Sequence, residues 1–390
     1  MTCVLGLFAS PSGPFNAKLL GEVRAAFRAG DTKAVSYVKA LEKKGGKYME
    51  MPLQTVTDKS HFAPSGDARD YVTLAPYWWP DSTKDDGLPY VRRDGKRNPE
   101  VYDYPDRERV NDFANAVASL GNLYYLTGNR DYASRCAAQL RSWFVNPATA
   151  MNPHLAYSQL VKGRNDLRGT GIIEARRIVQ SLAVASMLDD YDGWTSNDKK
   201  ALDKWAADFC TWLEESPQGR QEGNAPNNHG LWYEFIHITL LNYLGQEDKI
   251  RNVVDTRLTD MLEHQIEADG SLPEELKRTL SLHYCTFSLE ALMSINFMTA
   301  PLGRDLWNMV TPGGKSVAKV IEWMYPYYLD QEAWTYEQIK PFDIRRAAIL
   351  LFEAGSALEN NKYLSTAKAI GLKKNSTDVN SLPYLVLKTK

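Results

Sequence analysis

A single long break in an otherwise helical pattern constrains this chain more than any other feature. Apolar residues recur every three or four positions, with short Gly, Pro or Asn interruptions, over residues 110–126, 133–144, 172–188, 199–213, 231–244, 253–266, 282–297, 317–324 and 344–354. Few convincing period-two strands accompany them. Many antiparallel helix pairs in one continuous chain make either a solenoid or a closed ring of helical hairpins. No sequence repeat of fixed length is found, which favours an irregular all-α toroid, read as one domain over residues 1–390. Residues 51–105 are the break: prolines, glycines and charges replace the helix period. A loop of that length inside a compact domain is either disordered or functional.

Its composition argues for function. Residues 71–80, YVTLAPYWWP, are too aromatic for a solvated linker, and Arg92, Arg93, Lys96 and Arg97 place four cations within six positions just downstream. Tyr77, Trp78 and Trp79 offer flat faces on which sugar rings stack, and Arg92 and Arg97 offer partners for carboxylates. The competing reading makes Trp78 and Trp79 a plug that closes one end of the helical ring. The 390 residues with 44% hydrophobic content suffice for a packed core, and 10 Trp and 21 Tyr suit a sugar-binding cleft or simply a large aromatic core. The net charge of -2, from 46 basic and 48 acidic residues, means that any attraction for a polyanion is local. No phosphate loop, basic nucleic-acid face or metal cluster of convincing spacing stands out, and no apolar run is long enough to cross a bilayer. Cys3, Cys136, Cys210 and Cys285 fit no CxxC pattern and read as mostly buried thiols. The opening MTCVLGLFAS is apolar without the charged start of a signal peptide, and reads as a trimmed or remnant leader.

Two segments carry chemistry. In the first, EGNAPNNHG at 222–230, Asn227 or Asn228 is a natural N-cap, which puts His229 in the first turn of a helix where anions are favoured. His229, Trp232, Tyr233, Ile236 and Leu240 share a face of that helix. A histidine there can serve as a base near neutral pH, with an Asn amide beside it donating to a carboxylate; the bland alternative is a capping Asn and a hydrogen-bonded His. His237, mid-helix, is assigned to structure. In the second segment, 269–284, Arg278 and Tyr284 are six apart and diverge by about 120° in one unbroken helix. They converge more easily if the helix starts after Arg278, with Thr279 or Ser281 as its cap. A tyrosine base needs cations or donors that stabilise phenolate, and Arg278, Lys277 and His229 are candidates. Between the two lies RGTG at 168–171, whose glycines permit close approach to a carboxylate, and Glu174 and Arg177 three apart, the spacing of a surface ion pair. Gln159, Arg168, Glu174, Arg176 and Arg177 are possible lining of further sugar subsites.

The runs YVTLAPYWWPD, GLPYVRRDGKRNPE, NPHLAYSQLVKGRNDLRGTGIIEARRI, GNAPNNHGLWYE and DGSLPEELKRTLSLHY, in that order over about residues 70 to 350, resemble the alginate lyase superfamily, and family thirty-eight of the polysaccharide lyases more than family five. The resemblance implies an incomplete (α/α) toroid, an anionic polyuronate such as alginate as substrate, and a metal-independent Tyr/His mechanism with no cofactor. It implies catalytic roles for Asn228, His229, Arg278 and Tyr284, supported by Glu222. Tyr77, Trp78, Trp79, Arg92, Arg97, Gln159, Arg168 and Tyr233 are then the expected substrate-binding set. The Arg278 to Tyr284 interval is one residue shorter than in the better-known alginate lyases, and Cys285 follows the tyrosine. The expected reaction is β-elimination: Asn228 and Arg278, with Glu222 sharing a proton, neutralise the carboxylate that acidifies the hydrogen on carbon five. Tyr284 serves both as base and acid where that hydrogen and the leaving oxygen share a face, and His229 takes the base role where they do not. A monomer, in the periplasm or secreted, is expected from such a substrate. A glucuronan lyase of the same fold, an inverting glycoside hydrolase using two carboxylates among Glu222, Glu234, Glu274 and Glu275, and a non-catalytic sugar-binding scaffold are the alternatives.

Overall fold

The computed structural model describes residues 12–371 and Tyr384, so the opening MTCVLGLFAS and Cys3 lie outside the described residues. In chain order the helices are α1 (Ala17–Arg28), α2 (Thr32–Glu50), α3 (Asp106–Thr127), α4 (Arg130–Leu140), α5 (Ala175–Ala185), α6 (Ser196–Glu215), α7 (Pro217–Gly223), α8 (Asn228–Tyr243), α9 (Glu247–Val253), α10 (Thr259–Gln265), α11 (Pro273–Leu276), α12 (Ser281–Thr299), α13 (Val317–Leu329), α14 (Arg345–Ala357) and α15 (Asn361–Ile370). The segments with helical periodicity are helical, with local changes of pitch. The 133–144 segment ends in a π turn at Arg141–Val145, the 172–188 segment is preceded and opened by a 3-10 turn at Gly169–Glu174, and the 253–266 segment passes through a π turn at Val254–Leu258.

The helices form two layers of an incomplete (α/α) toroid. α3 packs on α5, α5 on α8, α8 on α12 and α12 on α14, while α4, α6, α13 and α15 flank this row from outside. Nearly every residue of α8 and α12 is buried, so both are apolar all round rather than along one stripe. α2 comes close to α3 because a Cβ on Gly45 would sit 2.4 Å from Leu123 Cδ1, a space that only glycine leaves free.

Four helices of the inner row begin at the same place. Arg176 near the start of α5, Asn228 and His229 opening α8, His283 and Tyr284 near the start of α12, and Arg346 in the first turn of α14 all line one cavity. The 51–105 segment lies across it, and short strands order that segment. β1 (Val72–Leu74) pairs in parallel with β4 (Tyr157–Leu160), and β2 (Trp78–Trp79) pairs antiparallel with β3 (Val91–Arg92). Two buried carboxylates anchor it. Glu174 accepts from Tyr71 Oη at 2.8 Å, Thr73 Oγ1 at 2.9 Å and Gln159 Nε2 at 3.0 Å, and pairs with Arg107. Asp106 pairs with the enclosed Lys59 at 2.6 Å and accepts the backbone N–H of Val72 at 2.8 Å. Glu174 is thus a hub under the loop, not the partner of Arg177 on a surface.

Candidate active site

The cavity has a volume of about 910 Å³. The start of a helix carries the positive end of its dipole, so the converging starts of α5, α8, α12 and α14 favour negative charge, although the first N–H groups of α8, α12 and α14 already meet acceptors within the protein. Arg92, Arg168, Arg176, Lys277, Arg278 and Arg346 add their cations, against Glu222 and Glu274 among the lining acids.

Asn227 caps α8, its Oδ1 accepting from His229 N at 3.1 Å, which fixes His229 in the first turn as the sequence requires. From α7, buried Glu222 reaches His229 Nδ1 at 2.5 Å. With Nδ1 held by a carboxylate, Nε2 is the nitrogen left for a ligand. Asn228 is fully buried; its backbone N–H and its Nδ2 donate to Glu275 Oε1 and Oε2 at 2.5 and 2.7 Å. Burial pushes the Glu275 carboxyl up, and the bonds from Asn228 oppose this.

On the opposite element, α12 starts only at Ser281, so Arg278 does enter from the preceding loop. Neither Thr279 nor Ser281 caps it. The Thr279 hydroxyl donates to Asp94 and that of Ser281 to the Glu337 carbonyl, while the Gln338 side chain accepts from Leu282 N at 3.1 Å. The Arg278 guanidinium lies 3.7 Å from the centroid of the Tyr284 ring. It is not free to neutralise a substrate in this state, because Asp94 binds it in a fork at 2.9 and 3.1 Å. Tyr284 is 8% exposed, and its hydroxyl lies 3.4 Å from that of Tyr77 in the loop. Burial raises the Tyr284 phenol well above its ordinary value, and the charge of Arg278 only partly offsets this. The resting group is therefore a phenol.

Of the expected substrate-binding residues, Tyr77, Trp78, Arg92, Gln159 and Arg168 line the cavity. Gln159 does so at φ 52, a left-handed conformation uncommon for a non-glycine residue. Trp79, Arg97 and Tyr233 do not. Successive residues of a strand point to opposite faces, so as Trp78 turns to the cavity Trp79 turns away, with its Nε1 donating to Lys96 O at 2.8 Å. Arg97 lies over the Tyr102 ring and near Glu108. Tyr233 shares a stripe with His229, but α8 is buried on every side; the Tyr233 hydroxyl donates to Leu213 O at 3.0 Å and Arg257 covers its ring. The RGTG glycines also serve packing. A Cβ on Gly171 would meet Ser158 Oγ at 2.1 Å, and one on Gly169 the Gln218 carbonyl at 2.3 Å, so the room they leave is filled by protein.

Sequence reasoning missed Asp94, His283 and Arg346, and considered Glu275 only as a hydrolase carboxylate. Glu275 stands inside the PEEL turn and His283 beside Tyr284, so proximity to motif residues was the available signal. Nothing in the sequence pairs Asp94 with a residue 184 positions away.

Cys136, Cys210 and Cys285 are buried thiols. Cys210, Glu214 and His237 bring possible metal-ligand atoms within 4.8 Å of one another. His237 is already bracketed by Glu214 at 3.0 Å and Glu234 at 3.4 Å. Burial would lower its pKa, but hydrogen bonds to Cys210, Glu214 and Glu234 raise it well above the ordinary value, as in an ion-paired imidazolium. No described helix is long and apolar enough to cross a membrane.

The family profile described as alginate lyase matches residues 55–334. Among solved structures, an alginate lyase from Bacteroides ovatus is 31% identical and superposes with a TM-score of 0.89 over 97% of this chain and 99% of its own. Alginate lyase A1-III from Sphingomonas species A1 is 15% identical, with a TM-score of 0.54 over 88% of this chain and 93% of its own, a likeness of fold. A variant of that enzyme complexed with tetrasaccharide gives a TM-score of 0.55 at 14% identity over 89% and 93%. No curated protein sequence matches.

Proposed function

This chain belongs to the alginate lyase family and is a polysaccharide lyase, and from that premise we propose that it cleaves a 4-linked polyuronate, alginate rich in mannuronate, by β-elimination. The observation that carries the reading is one cavity lined by both the imidazole of His229 and the phenol of Tyr284, at the meeting point of four helix starts and six cations. The Bacteroides ovatus neighbour, similar over almost the whole of both chains, is itself described as an alginate lyase.

A uronate carboxylate acidifies the hydrogen on carbon five only if its own charge is stabilised as the carbanion forms, which is the task of cations and fixed dipoles in an enclosed site. In mannuronate that hydrogen and the leaving oxygen on carbon four share a face. Tyr284 as phenolate takes the hydrogen, the carbon-oxygen bond breaks, and the phenol returns the proton to the departing oxygen, leaving a carbon-carbon double bond and the phenolate regenerated. Arg278 stacked on the ring favours the phenolate; burial opposes it. Where the two lie on opposite faces, His229 Nε2 takes the hydrogen and Tyr284, already a phenol, protonates the oxygen. A hydrolase would need two free carboxylates. Glu234 and Glu275 lie outside the lining, and of the two acids within it Glu222 holds His229 and Glu274 holds Lys277.

The test is incubation of the purified protein with polymannuronate, polyguluronate and glucuronan. Rising ultraviolet absorbance with products lacking the mass of added water supports the reading, fastest on polymannuronate. Saturated products overturn it, and glucuronan turned over fastest replaces alginate by the polymer of the same carbon-four and carbon-five configuration.

A further inference from the structure

Four of the six cations lining the cavity have carboxylate partners: Arg92 and Arg278 share Asp94, Lys277 has Glu274, and Arg346 is held in a fork by Glu290 at 2.8 and 2.6 Å. Arg168 has its hydrogen bond to Thr170 Oγ1 at 3.1 Å and lies over Trp78. Arg176 differs from all of these. Among the described residues it has no hydrogen-bond or ion-pair partner, and its guanidinium rests on two aromatic faces, 5.0 Å from the centroid of Phe287 and 5.5 Å from that of Trp232. An aromatic shelf fixes the planar group while leaving its N–H fork unspent. Burial and the neighbouring charge of Arg177 pull Arg176 down to about 10, against the opposing charge of Glu290.

His283 stacks on the same Phe287 ring, centroids 5.9 Å apart, and meets the Tyr284 ring edge-on at 5.2 Å. Its Nδ1 faces Arg346, which can only donate, so the ring proton resides on Nε2. Burial and the charges of Arg346, Arg176 and Arg278 hold the ring at about 4, hence neutral. The Nε2–H is a second donor for which the described residues supply no acceptor.

We propose that Arg176 and His283 form a second carboxylate subsite, which binds the uronate adjoining the one that reacts. The proposal rests on the polyuronate reading of the cavity. Phe287 carries both donors, and Tyr284, the proposed proton carrier, touches one of them, so the subsite lies beside the reacting bond. A neutral sugar at that position would leave both donors unmet, so the subsite selects for a charged neighbour on the chain.

Arg176→Gln is expected to raise KM for polyuronate about ten- to a hundredfold, the loss of a charge-assisted fork, with kcat within about twofold. Arg176→Lys, which keeps the charge but not the fork, should fall between wild type and Arg176→Gln. His283→Phe should raise KM in the same manner and gives a second measurement if Arg176→Gln does not fold. Binding of an oligouronate by the Tyr284→Phe variant, measured calorimetrically with and without Arg176→Gln, reads affinity without turnover. Unchanged KM and affinity in the Arg176 and His283 variants overturn the subsite, as does a collapse of kcat at constant KM, which would place Arg176 on the reacting group. If wild type releases no unsaturated product from any polyuronate, the proposed function fails instead, a result distinct from either.

Discussion

Asp94 and Arg278 are joined in a fork, Oδ1 to Nη2 at 2.9 Å and Oδ2 to Nε at 3.1 Å, and so tie the long loop to the segment leading into α12, the helix that carries Tyr284. Burial opposes ionisation of Asp94, yet the hydrogen bonds and charge of Arg278, the charge of Arg92 and the Thr279 hydroxyl bring its carboxyl down to about 2. The same fork explains why Arg278 is charge-compensated at rest. The loop and the charge available to substrate are therefore coupled.

Removal of that carboxylate in Asp94→Ala leaves a partly buried guanidinium unpaired. We expect a loss of about 2 kcal/mol in urea denaturation, the scale of hydrogen bonds to charged groups, and faster proteolytic nicking between residues 76 and 96. Because the folded pKa is depressed below 3.8, the contribution is whole above that pH and disappears as pH falls through about 2. Equal protease sensitivity of variant and wild type at pH 7 would show that the fork does not restrain the loop.

Tyr284→Phe should cut kcat by roughly a hundred- to ten-thousandfold, the usual worth of a proton-transferring side chain, while oligouronate affinity is kept. With the wild-type phenol raised by burial, the phenolate fraction grows with pH, so turnover of polymannuronate should climb from neutral into alkaline solution. An activity that falls over that range removes the phenolate from the mechanism.

Glu222 fixes His229 by a 2.5 Å contact to Nδ1. Glu222→Gln should lower kcat on polyguluronate roughly a hundredfold, since a loosened or wrongly tautomerised imidazole no longer aims Nε2. Same-face cleavage of polymannuronate, which relies on Tyr284, should suffer less. Equal losses on both polymers would assign Glu222 to another task.

His283, held at about 4 against an ordinary 6.5, makes stability depend on pH. Between those values the unfolded chain binds a proton that the folded chain refuses, so stability is full above 6.5 and declines as pH falls towards 4. The size is on the order of 3 kcal/mol. Melting curves from pH 7 to 4 should be flatter for His283→Phe than for wild type, and parallel curves would refute the assignment.

The sequence by itself determined nine helical segments and the place of His229 at the start of one of them, while α1, α2 and α15 lay outside the segments its periodicity marked. Period and capping are local properties: Asn227 caps α8 and puts His229 in its first turn, and the apolar surface all round α8 and α12 marks them as innermost. Local rules also singled out the 51–105 segment as the break in the helical pattern, and Tyr77, Trp78 and Arg92 of it reach the cavity. They failed wherever a side chain had a choice of partners distant in sequence. Trp79 and Tyr233 have the same chemistry as residues that line the cavity, but the strand's alternation and a carbonyl from α6 take them elsewhere. Whether an arginine is free or neutralised was likewise decided by tertiary structure, since Arg278 and Asp94 are 184 positions apart and Arg346 and Glu290 are 56 apart. Charge compensation depends on distances in space, and only the closed ring of helices sets those.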